Sequence, residues 1–218
     1  MNKAFIFDFD GILVDSEPIW QIENEVTLSQ LFGNEIYTKL SPTMVGLSMD
    51  AIYQRALELG STVSKSDFIK LCLERAPEVY RNAPLTPGLQ ELKNELDKRN
   101  FDLGIVSASP IEWIEIVLKR LNWDPSEFKI ILSLQTRTDI AHKPSPDGYL
   151  HAMQKLGADP KTTIILEDSN PGIQSAKASG ATVIGFKANL VKGYNQKGAY
   201  FYAENTEEVI TLVKKFAV

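Results

Sequence analysis

Short apolar runs alternate with amphipathic stretches along most of this chain. The runs fall at residues 4–8, 102–107, 129–132, 163–167 and 182–186, with a weaker one at 199–203. Each is too short for a buried helix and reads as a strand. Between them, residues 88–99 place Leu89, Leu92 and Leu96 on one helical face behind Pro87, a residue suited to a first helical turn. Residues 111–121 follow Pro110 in the same manner and carry Ile114, Val117, Leu118 and Leu121; residues 145–156 and 171–179 also follow prolines. Fully apolar strands separated by helices predict a parallel sheet covered on both faces. Residues 16–82 interrupt the alternation. They read as helices only, near 17–32, 48–59 and 65–80, with loops at Gly33-Asn34 and Ser41-Pro42. The expected organisation is a core of residues 1–15 and 83–218 with a small helical domain, 16–82, inserted after the first strand.

Composition narrows the function. The chain has 218 residues, 44% apolar and 23% charged, and a net charge of −5. That balance gives no electrostatic footprint for nucleic acid or an anionic membrane. A phosphorylated ligand would therefore need local positive charge. No apolar run approaches the roughly 20 residues of a membrane span. The chain passes from Met1 into a strand at once, so no signal peptide is expected. Cys72 is the single cysteine; a reducing, cytoplasmic setting fits. Its neighbours Leu71 and Leu73 make it a packed side chain rather than a reactive thiol.

Candidate chemistry gathers where strands end. The first strand runs into Asp8-Phe9-Asp10-Gly11. Burying a carboxylate is costly unless it is paired or metal-bound, and alternation sets Asp8 and Asp10 on one side of an extended strand. One such acid can attack phosphorus and the other can shuttle a proton. A strand-end aspartate also starts turns for purely structural reasons. Ser107-Ala108-Ser109 ends the strand 102–107 before a helix; Ser107 and nearby backbone N–H groups suit phosphoryl oxygens. Ser109 with Glu112 has the spacing of a capping box, so Ser109 reads as a helix cap. Lys143 precedes the helix 145–156 and offers a compact positive charge. His142 beside it receives no role, since aspartates already supply nucleophile and acid. Glu167-Asp168 ends another buried strand, and hard oxygen ligands of this kind suit Mg²⁺. Ser169 or Asn170 could cap the following helix without them.

Taken together, Asp8-Phe9-Asp10-Gly11-Ile12-Leu13-Val14-Asp15-Ser16, Val106-Ser107-Ala108-Ser109, Lys143-Pro144-Ser145-Pro146-Asp147 and Glu167-Asp168-Ser169-Asn170-Pro171-Gly172 resemble the four motifs of the haloacid dehalogenase (HAD) superfamily. The likeness is greatest to the branch holding β-phosphoglucomutases and sugar-phosphate phosphatases. It implies an α/β fold, a Rossmann-like parallel-sheet core with an inserted helical cap acting as a lid. It implies Asp8 as nucleophile and Asp10 as general acid, then base. Ser107, the Ala108 backbone and Lys143 would hold the phosphoryl group. Mg²⁺ would bind Asp8, Asp168 and the backbone carbonyl of Asp10, with Glu167 acting directly or through water. Asp10 argues against dehalogenation. Trp20 stands where the mutases carry a cap histidine, and Met49 where they carry an arginine, so a phosphatase is favoured over the alternative, a phosphomutase. Glu17, Trp20, Gly46 and Ser48 are the expected cap contacts to the leaving group, although Trp20 also suits cap core and Glu17 a first helical turn. A third possibility, a phospho-acceptor module, is opposed by Asp10 and by the helical insertion. The expected partner is a small phosphorylated metabolite, and the expected state a monomer.

Overall fold

The computed structural model describes residues 2–44 and 47–216. The chain divides into two compact units, Met1–Asp15 with Pro84–Val218, and Ser16–Ala83. The larger unit is an α/β fold around six strands, β1 (Asn2–Phe7), β2 (Phe101–Ser107), β3 (Ile130–Ser133), β4 (Ala158–Glu167), β5 (Thr182–Phe186) and β6 (Phe201–Ala203). Their order is β3-β2-β1-β4-β5-β6 and every neighbouring pair is parallel. β1, the first strand made, therefore lies inside the sheet between β2 and β4. The chain then crosses over in both directions from it, which opens a crevice at the carboxyl ends of β1, β2 and β4.

Alternation along β1 sorts its side chains between two cores. Ala4 and Ile6 face a cluster built with Tyr149, Met153 and Leu156 of α7 (Asp147–Leu156) and Ile173 of α8 (Asn170–Ala178). Phe5 and Phe7 face an aromatic layer on the other side. Phe5 lies 6.4 Å from Phe101, Phe7 lies 6.2 Å from Trp123, and Trp123 lies 5.8 Å from Phe128, ring centre to ring centre. The indole N–H of Trp123 donates to Gln90 Oε1 at 2.8 Å, joining this layer to α5 (Leu89–Lys98).

Three elements of the larger unit depart from the sequence reading. The strand carrying Asp8 stops at Phe7, and Gly11 at φ +75° turns the chain directly afterwards. The turn, not strand alternation, thus sets the relation of Asp8 to Asp10. β4 begins at Ala158 rather than 163, with a register shift against β1 between Asn2 and Ala4. A last helix, α9 (Thr206–Phe216), follows β6; its buried Val209 and Val213 are one turn apart, with acids at its start and lysines at its end, as the helix dipole favours.

The second unit is helical throughout its described residues: α1 (Glu17–Phe32), α2 (Asn34–Leu40), α3 (Met49–Glu58) and α4 (Lys65–Asn82), with a single 3₁₀ turn at Ser41–Thr43. Gly33-Asn34 is not a loop. Gly33 breaks α1 at φ +84° and α2 starts at the next residue, because Ile36, Tyr37 and Leu40 present an apolar face to the core of this unit. That core contains Leu28, Phe32, Tyr53, Phe68 and Cys72. Burial pushes the Cys72 thiol up to about 12. No helix among the described residues is long and apolar enough to cross a membrane.

Phe68 is the keystone of this second core, 5.6 Å from the Phe32 ring and 5.8 Å from that of Tyr53. Phe68→Ala should destabilise the unit by about 3–5 kcal/mol. Urea unfolding followed by far-ultraviolet dichroism reads this; an unchanged transition would show that the core tolerates the cavity.

Candidate active site

The chemistry-bearing side chains of the larger unit meet where β1, β2 and β4 end. Asp8 follows the last residue of β1, and its N–H donates to the Leu166 carbonyl at 3.0 Å, tying it to β4. In register, Phe7 sits opposite Ile105 and Leu166. Glu167 therefore ends its strand at the level of Asp8, and Ser107 ends its strand one residue beyond that level. Lys143 enters from the loop before α7. Its ammonium donates to Asp8 Oδ1 at 2.7 Å, to Glu167 Oε1 at 2.6 Å and to the Val106 carbonyl at 3.3 Å. The same ammonium rests 5.2 Å above the centre of the Tyr149 ring. An ion pair this deep is favourable only when the charges are matched and the remaining lone pairs and protons are used.

Glu167, fully buried, meets that condition. Oε1 accepts from Lys143 and from the Tyr149 hydroxyl at 2.9 Å. Oε2 accepts from the backbone N–H and the hydroxyl of Ser169, at 3.0 and 3.1 Å. Both oxygens are thus occupied twice. Gly172, in the first turn of α8, lies so close that any Cβ there would overlap the Glu167 carboxylate. Gly11 plays the same part for Asp168, whose carboxylate occupies the place a side chain at position 11 would need.

Carboxylate oxygens of Asp8, Glu167 and Asp168 lie within 4.8 Å of one another. One ammonium faces these three acids, and the imbalance shows in their protonation. Burial and the charge of Glu167 push the Asp8 carboxyl up to about 7, against the opposing pull of Lys143. Burial, then the charges of Glu167 and Asp8, raise Asp168 well above the ordinary carboxylate range. Lys143 is held well above its usual value by Asp8 and Glu167, despite its own burial. A divalent cation among oxygen donors relieves this kind of repulsion, so the donor set suits Mg²⁺.

The structure brings Asp8, Asp10, Ser107, Ala108, Lys143, Glu167 and Asp168 into one unit, beyond the carboxyl ends of its strands. Ser107 is buried and its Oγ accepts from the Ser109 N–H at 2.9 Å; Ala108 sits half-buried in the turn between them. Ser109 does not cap a helix: Pro110 is the residue before α6 (Ile111–Leu121), which has no side-chain cap. The His142 carbonyl accepts from the Ser145 N–H.

Glu17, Trp20 and Ser48 belong to the helical unit. Ser48 caps α3, its Oγ accepting from Ala51 N–H at 3.3 Å. Trp20 packs edge-on to Tyr80, and its indole N–H donates to the Tyr80 hydroxyl at 3.4 Å. Glu17 sits in the first turn of α1 and accepts from Gln21. Gly46 lies outside the described residues.

Sequence reasoning missed four side chains that support this site. Tyr149 braces both Glu167 and Lys143. From the segment after β5, Asn189 donates to the Gly11 carbonyl at 3.1 Å, Gln196 donates to the Asp168 carbonyl at 2.6 Å, and the Tyr194 hydroxyl accepts from Asn170 N–H at 2.8 Å. Nothing in a polar loop sequence marks such side-chain-to-backbone ties.

Residues 5–186 match the profile of the family described as haloacid dehalogenase-like hydrolase. The chain belongs to that family. Hexitol phosphatase B of Escherichia coli (strain K12) is 32% identical over 180 residues, covering 81% of this chain and 79% of that protein. The phosphorylated carbohydrates phosphatase of Thermotoga maritima is 25% identical over 182 residues, 82% of each. Among solved structures, CbbY from Rhodobacter sphaeroides in complex with phosphate superposes with a TM-score of 0.79 at 22% identity over 96% of both chains, a likeness of fold. This HAD-family chain is an enzyme, a hydrolase of phosphate monoesters.

The raised Asp8 value fixes a pH dependence for the metal-free protein. Its folded pKa, about 7, exceeds the ordinary 3.8. The folded state therefore binds more protons between these values, and stability falls as pH rises through that window. Melting temperatures of chelator-treated protein should decline from pH 5 to 7.5, less steeply in Asp8→Asn. Millimolar Mg²⁺ should raise the melting temperature more at pH 7.5 than at pH 5. A wild-type slope no steeper than that of Asp8→Asn would contradict the electrostatic reading of the cluster.

Proposed function

We propose that this enzyme is a Mg²⁺-dependent phosphatase of a small phosphorylated metabolite, a sugar or sugar-alcohol phosphate, acting through an aspartyl-phosphate on Asp8. The observation that carries the reading is the buried ion pair of Lys143 with Asp8, set beside Asp168 at the end of β4. The names of the two phosphatase relatives above support the substrate class.

The steps balance on residues of this chain. Asp8 attacks phosphorus and the bond to the leaving oxygen breaks. Asp10, protonated, gives its proton to that oxygen and becomes a carboxylate. Water then attacks the phosphorus of the acyl phosphate and loses its proton to Asp10. Asp8 departs as a carboxylate and inorganic phosphate leaves. Lys143 favours the ionised form of Asp8 against its burial and faces the transferring oxygens, as does the Ser107 turn. Asp8 and Asp168 would hold Mg²⁺, which supplies charge neutralisation for the phosphoryl group. Glu167, already accepting four hydrogen bonds, serves as the brace for Lys143.

Phosphate release from a panel of hexose, hexitol, pentose and triose phosphates tests this. Turnover should require Mg²⁺ and disappear with chelator. Asp8→Asn should lose at least about 10³-fold in kcat while remaining folded by far-ultraviolet dichroism, in the range expected when a covalent route is removed. Absence of turnover on every member by folded, Mg²⁺-supplied protein would defeat the assignment of substrate class. Isomer interconversion outpacing phosphate release would point to a mutase instead.

A further inference from the structure

The second serine of the Ser107-Ala108-Ser109 turn has a partner that capping does not explain. Its hydroxyl donates to Asp10 Oδ2 at 2.6 Å, a contact across 99 residues of sequence. Charge-assisted hydroxyl-to-carboxylate bonds fall at this short distance. The backbone on either side of that hydroxyl is pinned. Ser109 N–H donates to Ser107 Oγ at 2.9 Å, and the Ser109 carbonyl accepts from Ser133 Oγ, at the end of β3, at 2.7 Å. Ser133 itself lies opposite Ser107 in the β2–β3 register. The ends of β2 and β3 thus fix where the Ser109 side chain points.

The geometry points to Ser109 as the positioning residue for the proton-transferring carboxylate of Asp10. The inference rests on the acid–base part proposed above for Asp10. A hydroxyl suits the task because it is an uncharged donor on a short side chain, and its hydrogen rotates to meet the acceptor. It donates to Asp10 Oδ2. When Asp10 carries its proton on the other oxygen, Oδ1, the same donation to Oδ2 persists, so the carboxyl plane stays fixed while its charge changes. A carboxylate at position 109 could not donate in this way. Proton transfer needs the acid within about 2.6–3.2 Å of the leaving oxygen, so a carboxyl free to rotate away is a poor acid even at the right protonation state.

The test separates positioning of the acid from general disturbance. p-Nitrophenyl phosphate releases a stable phenolate and needs little protonation; phenyl phosphate has nearly the same shape and needs more. Ser109→Ala removes only the hydroxyl and keeps both backbone ties. It should lower kcat/KM on phenyl phosphate by about 10²-fold, the scale of a small misplacement of a reacting group, and by far less on p-nitrophenyl phosphate. Ser109→Thr should recover most of the loss. Asp10→Asn should show the same dependence on leaving group, and adding Ser109→Ala to it should cost nothing more, as for two residues acting as one. Equal losses of Ser109→Ala on both esters, or losses that add to those of Asp10→Asn, would overturn the proposal. If Asp10→Asn itself does not discriminate between the esters, the acid–base assignment fails first and takes this inference with it.

Discussion

The structure depends on a single ammonium held between two carboxylates. Lys143 reaches Asp8 and Glu167 at once, and those two acids stand at the ends of adjacent parallel strands. Strands carrying acids at the same level would repel one another without a cation between them. Removing the lysine would leave two buried carboxylates facing each other, the expensive case for an ion pair. The ammonium is in turn fixed from three directions, by the acids, by the Val106 carbonyl and by the face of Tyr149. A cation–π contact of this buried kind adds to the ion pair rather than competing with it.

Around that pair the backbone has been brought unusually close. Gly172 lets the start of α8 press against Glu167, and Gly11 lets the first turn press against Asp168. Gly11 also needs its positive φ, which an L side chain adopts only with strain. The segment after β5 then holds these turns from outside through the side chains of Asn189 and Gln196. The acids are therefore positioned by main chain that cannot retreat, and their repulsion is borne by the fold. That is the condition under which a carboxyl such as Asp8 reaches a value of about 7 instead of swinging into solvent. Pre-organisation of this sort places most of the reorganisation at folding, before any ligand arrives.

Much of this arrangement was legible in the sequence. The strands were evident because each is apolar on both faces, the mark of a strand buried in a parallel sheet. The two acidic strand ends stood out because charge rarely follows such a run without a partner. The turn at Gly11 and the packed state of Cys72 also followed from residue type. What escaped had weaker local marks. α2 hid behind a Gly-Asn pair that ordinarily signals a turn; the helix forms because Leu40 and its neighbours reach a core made by distant residues. Tyr149 stands among the apolar positions of α7, and its hydroxyl gains a role only where β4 delivers Glu167 beside it. Hydrogen-bond partners separated by more than a hundred residues, such as Asn189 and Gly11, leave no spacing to read.

Serines at helix starts show why residue type alone does not settle such roles. Ser48 and Ser64 each accept an N–H from the first turn that follows, at Ala51 and Asp67, as an N-cap does. Ser169 accepts from Gly172 N–H and also donates to Glu167. It caps α8 and braces the acid with one oxygen, because acceptance leaves the hydroxyl hydrogen unused. Ser109 has the sequence spacing of a capping residue but stands one position too early. Pro110 takes the boundary position, and α6 begins at Ile111. The amides that a cap must reach are then a residue further away. The Ser109 hydroxyl is released from helix duty and meets Asp10. A proline inserted between a serine and its helix thus frees a hydroxyl from capping to meet a carboxylate of the candidate site.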